Sequence, residues 1–490
     1  MIQTATMGDS VANAYQAFLA YRNLSYAGRA KLLNHIADAL ASNANDLIAI
    51  AAEETNLNPA RLKTELNRTC FQLRSYGEAA AKGLVFDNTI DVGTTGNSQV
   101  NIDIRKTVVP IGVVAVFGAS NFPFAYSTPG GDTASALAAG CTVVIKPHPA
   151  HFKTSLAVAK IMKEVLAQLH LPGSIITHLE DASTEAGIEL VKHPLIKAVG
   201  FTGSLNGGKA LYDIAQQRVQ PIPVFAEMGS VNPVFLFPNR LAQSAPKYVG
   251  VLAGAITGSV GQFCTQPGII VGIDSPALEQ FKSLLVADLN TIPPAKMLHQ
   301  GIADSFAKYR QLFLDKTTTE LLTKEQYFEH DMAIPTLIEV SAADFINDNS
   351  LQHEVFGPVS LLVRCANEQE MVQIAYLMKG QLTTTIVANH LDVEDYKEAI
   401  HLIAEVGGRV IWNGVPTGVE VCLSMHHGGD FPATTDSRFT AVGADAIKRW
   451  GKIKCYQNFP QELLPPPVQN KNSWQIWRRI NNEYSKSDLD

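Results

Sequence analysis

Cysteine is scarce and never paired in sequence: Cys70, Cys141, Cys264, Cys365, Cys422 and Cys455 are scattered over 490 residues with no C-x-x-C. That spacing argues against a structural metal site and a small disulfide framework, and a reducing cytoplasmic compartment is expected. Long apolar runs are also missing. Residues 111–115 and 269–273 are far short of the roughly 20 needed to cross a bilayer, and no basic segment leads into an apolar one near residue 1. Neither a membrane span nor a secretory signal is therefore expected. Positive charge is not in excess: 39 Lys+Arg against 46 Asp+Glu leave a net charge of −7, which disfavours a nucleic-acid partner. With 46% hydrophobic and 17% charged residues, the chain is too apolar to be disordered. Its length allows about three domains of ~150 residues.

Apolar spacing makes the first ~85 residues helical. Ser25 can cap a helix whose Leu33, Ile36, Ala37 and Leu40 share a face, and helical character continues over 46–54. Over 99–109 the period drops to two, with Val100, Ile102 and Ile104 apolar and Asn101, Asp103 and Arg105 polar. This predicts a strand with one wet face, half of a hairpin after Gly93-Thr-Thr-Gly96. Strands are then expected over 113–117, 142–146, 175–179, 196–201 and 223–226, with helices over 133–139, 155–169, 185–192 and 209–216. Successive βα units imply a parallel, doubly wound sheet that binds ligands beyond the carboxyl ends of its strands. A second α/β pattern follows Met228, with strands over 234–237, 269–272, 359–363, 384–388 and 409–412. The Pro-rich stretch 462–468 and the polar residues after it read as a surface tail.

Polar residues at strand ends are the candidates for chemistry. Asn121, in Gly118-Ala-Ser-Asn-Phe-Pro123, can donate to a developing oxyanion, although turning a loop before proline is the commoner use of such an Asn. Gly203-Ser204 falls between a strand and a helix, where phosphate is favoured; the turn has no G-x-G-x-x-G, and a structural glycine explains it equally well. Cys264, in Gly261-Gln-Phe-Cys-Thr265, has a glycine-flanked setting that can expose a thiolate, whereas most lone cysteines are small buried residues. Glu227 ends an apolar strand, as a tuned base or a solvated terminus, and Glu354 has the same ambiguity.

In their order, Asn121, Lys146, Gly203-Ser204, Glu227, Cys264 and Glu354-x-Phe356-Gly-Pro358 resemble the aldehyde dehydrogenase superfamily over roughly residues 20–455. Segments 117–123, 130–140, 146–151, 221–227, 413–420 and 431–438 bring the resemblance closest to α-ketoglutarate semialdehyde (2,5-dioxopentanoate) dehydrogenases and the related NADP-linked fatty aldehyde dehydrogenases. The resemblance implies an aldehyde dehydrogenase-like α/β fold. A Rossmann-type cofactor domain would come from 1–85 and 111–228, and an α/β catalytic domain from 229–425. A β-strand oligomerisation arm with the C-terminal segment would come from 86–110 and 426–490, joining subunits into a homodimer or homotetramer.

For the site, the resemblance implies Cys264 as nucleophile, Asn121 and the Cys264 N–H as oxyanion hole, and Glu227 as the base for a hydrolytic water. Lys146 would hold the adenosine ribose, Gly203-Ser204 the pyrophosphate, and Glu354 the nicotinamide ribose, with Phe356 nearby. Pro149 stands where many NAD-linked members carry glutamate, so NADP is expected, with NAD possible and Lys146 and His148 close to the ribose. The expected reaction oxidises a small-molecule aldehyde, α-ketoglutarate semialdehyde first, with His427 and Arg438 as candidates to receive its carboxylate. The aromatics Phe122, Phe124 and Tyr126 leave a medium- or long-chain aldehyde open as substrate. A non-catalytic nucleotide-binding relative is the third reading.

Overall fold

The computed structural model of the chain describes residues 6–94, 101–378 and 380–489. Four helices open it: Met7–Tyr21, Tyr26–Ser42, Ala44–Thr55 and Pro59–Lys82. Three of their starts have a local cause: Thr6 and Asp9 form a capping box, Ser25 accepts from the Gly28 N–H, and Asn58 caps the helix that Pro59 begins. Leu33, Ile36, Ala37 and Leu40 are fully buried, as their spacing requires, in a core shared with the first sheet.

That sheet has five parallel strands in the order Ile176–His178, Thr142–Lys146, Val113–Phe117, Ile196–Thr202, Val224–Glu227. Every residue of the central strand Val113–Phe117 is buried, which its β-branched run anticipates. Strand order reverses beside it, so a crevice opens between this strand and Ile196–Thr202 at their carboxyl ends. The loops carrying Asn121 and Gly203-Ser204 flank that crevice.

The second sheet has seven strands, in the order Thr319–Leu321, Thr336–Ser341, Val359–Cys365, Ile269–Ile273, Val234–Leu236, Gln381–Val387, Gly407–Trp412. All pairs are parallel except the first. Thr336–Ser341 was not anticipated because its polar residues disguise it. Thr336 is buried but takes a hydrogen bond from Arg310 Nε (2.9 Å), and Glu339 pairs with Arg364 (2.7 Å) and Lys282 (3.3 Å).

The third sheet orders Gly451–Gln457, Asn101–Pro110, Thr89–Thr94, Arg478–Ile480 and Glu483–Ser485. Thr89–Thr94 and Asn101–Pro110 form the expected antiparallel hairpin; Gln99, Val100 and Gly96 lie outside the described residues. Here two expectations fail for one reason. Arg105, assigned to the wet face, is buried: its Nε and Nη2 bind Asp103 (2.7 and 2.9 Å) and its Nη1 donates to the Val468 carbonyl (2.7 Å). The segment that covers it is the one read as a surface tail. Leu464 and Val468 pack on Ile90, Ile476 enters the first core, and buried Arg478 donates to the Asn470 and Ser487 carbonyls (3.1 and 2.7 Å). A proline-rich segment leaves carbonyls that no ladder satisfies, and these two arginines take them.

Residues 426–450 also depart from the expected grouping with the arm. Met228 N–H donates to the Ala433 carbonyl (2.8 Å), and fully buried Trp450 stacks edge-on to Phe225 (5.3 Å), so this stretch belongs beside the first sheet. Only from Gly451 does the chain enter the third. No helix among the described residues is long and apolar enough to cross a membrane.

Arg105→Met leaves the Val468 carbonyl without its donor, while the partly exposed Asp103 carboxylate turns to solvent. The variant is expected to lose about 1–3 kcal/mol in chemical denaturation. An unchanged midpoint would return the segment to the status of a tail.

Candidate active site

Cys264 sits in a loop between the helix Pro238–Thr257 and the strand Ile269–Ile273. The loop enters through three successive left-handed residues, Ser259 (φ 52°), Val260 (φ 59°) and Gly261 (φ 65°). For β-branched Val260 this conformation is strained, the kind of cost a surrounding structure imposes at a functional loop. Gly261 has no alternative, because a Cβ there would overlap the Gly357 backbone. Buried side-chain amides take the loop's carbonyls. Asn232 Nδ2 donates to the Cys264 and Gln266 carbonyls (2.9 and 3.0 Å), and Asn121 Nδ2 to the Gln262 carbonyl (3.1 Å). Among the described residues the Cys264 N–H has no acceptor, which leaves it available beside the Asn121 amide.

Glu227 is the last residue of Val224–Glu227 and is 4% exposed. Its Oε1 lies 3.1 Å from His427 Nε2, and that nitrogen lies 3.9 Å from Cys264 Sγ. One ligand-type atom from each of the three falls within 4.8 Å of the others. Burial pushes the Glu227 carboxyl up, but the His427 contact outweighs it and holds the group below the usual carboxylate range. Burial, and then the charge of Glu227, push the Cys264 thiol well up, so the resting side chain is a neutral thiol. Among the described residues Glu227 Oε2 has no geometric hydrogen-bond partner, and the carboxylate faces the Cys264 thiol. The arrangement therefore presents a thiol, a free carboxylate oxygen to take its proton, and two N–H donors.

The structure thus brings Cys264, Glu227 and Asn121 together and adds His427, which spacing alone assigned elsewhere. As a receptor for a substrate carboxylate His427 fails: it is 1% exposed and engaged with Glu227. Arg438 fails too. It pairs with Asp436 (2.6 Å), its side chain is 81% exposed, and it lines a separate cleft with Tyr212 and Gln216. Phe124 is fully buried in the first core, so only Phe122 and Tyr126, with rings 5.3 Å apart, face one another near Asn121. Two supports were missed in sequence. Buried Glu65 accepts the Phe124 and Ala125 N–H groups (2.7 and 2.9 Å), and Arg61 donates to the Asn121 carbonyl (2.6 Å). A carboxylate one turn after an arginine on a helix gives no hint that both brace a loop.

Of the expected cofactor residues, Lys146 and Gly203-Ser204 line the carboxyl edge of the first sheet, while Glu354 and Phe356 precede the strand Val359–Cys365 of the second. Lys146 ends its strand, with no carboxylate within 4.0 Å among the described residues, and burial lowers its pKa. Ser204 caps the helix Leu205–Gln216 by accepting from the Gly207 N–H, so an anion is favoured in front of the turn. Glu354 is half-exposed as a residue while its carboxyl is enclosed, and burial pushes its pKa up to about 8. A Cβ on Gly229 would stand 2.6 Å from Glu354 Oε2, so glycine is what admits that carboxyl at this point. Phe356 is half-buried two residues on. His148 does not extend the positive charge of Lys146. Its ring packs 5.6 Å from His151 and 5.8 Å from His299, and burial pushes its pKa down to about 3.

Residues 2–430 match the model of the aldehyde dehydrogenase family. An α-ketoglutaric semialdehyde dehydrogenase of Acinetobacter baylyi is 41% identical over 471 residues, covering 96% of this chain and 89% of the relative. A protein of Azospirillum brasilense named α-ketoglutaric semialdehyde dehydrogenase 2 is 41% identical over 467 residues, with 95% and 89% covered. The fold is that of betaine aldehyde dehydrogenase from Staphylococcus aureus in complex with NAD+, at TM-score 0.76 and 18% identity, covering 92% and 87% of the two chains. The chain belongs to the aldehyde dehydrogenase family and is an NAD(P)-dependent oxidoreductase.

Proposed function

We propose that this enzyme oxidises α-ketoglutarate semialdehyde to α-ketoglutarate through a covalent intermediate on Cys264. The observation that carries the reading is the Cys264–Glu227–His427 contact set beside the Asn121 amide. The substrate follows from the two relatives of 41% identity that span nearly the whole chain. Glu227 Oε2 takes the thiol proton, and the thiolate attacks the aldehyde carbon. The resulting alkoxide is held by the Asn121 amide and the Cys264 N–H, where one lost donor costs about 10²–10³ in rate. A bound nicotinamide cofactor would supply the hydride acceptor that lets this alkoxide collapse to a thioester on Cys264. Glu227, after releasing its first proton to solvent, removes one from the water that frees the acid. His427 Nε2–H fixes Oε1 and keeps the carboxylate ionised in a buried site.

A cofactor fits these residues: an unpaired Lys146, a capped helix start at Ser204, and the Glu354 carboxyl against Gly229. We assign the cofactor-binding part to 1–85 and 111–228 and the catalytic part to 229–425. Both nicotinamides are accepted, with a preference for NADP, because exposed Pro149 offers a 2′-phosphate no repelling carboxylate. Six unpaired thiols suit a reducing, cytoplasmic compartment. The edge strand Gly451–Gln457, whose Ile453 is 71% exposed, is the arm face for a homodimer or homotetramer.

Cys264→Ser is expected to lower turnover by at least about 10³-fold while cofactor still binds; near wild-type turnover would remove the nucleophile. Glu227→Gln should accumulate acyl-enzyme in single-turnover mixing, and unchanged deacylation would release Glu227 from its role.

His427→Phe leaves the Glu227 carboxyl buried without its partner, so its pKa rises and the acidic limb of the kcat/KM profile moves to higher pH. A limb that stays in place would show that another group tunes the base.

Pro149→Glu should shift the ratio of kcat/KM values toward NAD. No shift would mean that this loop does not lie against the ribose.

A further inference from the structure

Near the cysteine stand two arginines that, among the described residues, form no ion pair with a carboxylate. Arg61, Glu65 and Arg68 form one stripe of the helix Pro59–Lys82. Arg61 is engaged, with Glu65 at 4.0 Å and the Asn121 carbonyl at 2.6 Å. Arg68 donates to Gln72 Oε1 and the Val419 carbonyl, each at a long 3.3 Å, lies 5.5 Å over the Tyr126 ring, and feels the Glu65 charge one turn back without pairing with it. Arg409, from the strand Gly407–Trp412, donates to the Pro416 and Gly418 carbonyls, and its Nε is buried with no partner. Among the described residues neither guanidinium has a carboxylate within 4.0 Å.

Both arginines grip the same loop, 416–419, and both act electrostatically on Tyr126 and on the Cys264 thiol. The Tyr126 ring is in turn 6.3 Å from His427. Cations partly withdrawn from water are costly unless an anion joins them. Two such cations converging on an aromatic wall beside a nucleophile describe a binding site for a substrate with a negative far end.

We propose that Arg68 and Arg409 are the receptor for the carboxylate of the aldehyde substrate, holding it over Tyr126 while the aldehyde carbon rests at Cys264 Sγ. The inference rests on the substrate reading above and names what selects that substrate. A guanidinium fork matches a carboxylate with two parallel hydrogen bonds, which lysine at either position would not reproduce. An alkanal offers this pair no anion, so the site disfavours a long apolar substrate despite Phe122 and Tyr126.

The test compares kcat/KM for α-ketoglutarate semialdehyde with that for pentanal, which has the same carbon count and no charge. The inhibition constant of α-ketoglutarate is measured in parallel, on wild type, Arg68→Met, Arg409→Met and Arg68→Lys. Each methionine variant is expected to lower the ratio of the two kcat/KM values by about 10- to 100-fold, mostly through KM for the keto-acid aldehyde. The inhibition constant should weaken in parallel, and Arg68→Lys should recover part of both. An unchanged ratio in both methionine variants, or an equal loss on both aldehydes, overturns the receptor. A wild-type enzyme that prefers pentanal overturns the substrate reading instead. The arginines are then decided by the inhibition constant alone, where no weakening overturns them.

Discussion

A single buried amide holds the centre of this molecule in place. Asn232, fully buried and itself left-handed (φ 45°), donates through Nδ2 to the Ser230, Cys264 and Gln266 carbonyls. The cysteine loop is neither helix nor strand, yet much of it is buried, so its backbone groups need partners from elsewhere. Asn232 supplies them from the start of the second sheet. Asn121 and Gln266 extend the same device, and Gln262 Oε1 takes the Leu298 N–H at 2.9 Å. Ser230 belongs to this lattice as well: its hydroxyl bonds Asn232 Oδ1 and Gln381 Oε1 at 3.0 Å each.

Buried charge is the second constraint. Glu227 stays ionised despite burial chiefly because His427 reaches it, and His427 comes from a segment 200 residues later in the chain. That segment is anchored by the Met228 N–H and by Trp450 against Phe225. The carboxylate is thereby kept ionised, while burial and then its field keep the cysteine neutral until a substrate arrives. Glu65 does similar work at a distance, as its carboxylate fixes the backbone that presents Asn121. Reactivity at this site is divided between a base prepared in advance and a nucleophile held back.

Much of the architecture was legible in the chain itself. Short β-branched runs alternating with helical segments specify a parallel sheet buried on both faces, and the strands observed agree with those readings to within a few residues. The carboxyl-edge positions of Asn121, Lys146, Gly203, Ser204 and Glu227 follow directly, since each ends a strand or begins the loop after it. The strand Thr336–Ser341 was hidden because Thr336 and Glu339 are satisfied by Arg310 and Arg364, more than twenty residues away, and the C-terminal strands because their Arg478 is buried against backbone carbonyls.

What the sequence determined by itself is therefore local and periodic: which segments are helices or strands, which sheet edge carries the polar residues, and which cysteine stands in a glycine-flanked turn. Those properties depend on neighbours within a few residues, where sterics and hydrophobic period act. Tertiary structure alone decided that Arg105 is buried, that His427 serves Glu227 rather than a substrate, that His148 is neutral, and that Arg68 and Arg409 share one loop. Most of these turn on a partner tens to hundreds of residues away. Charge and hydrogen bonding act through space, and the chain records no distance until it has folded.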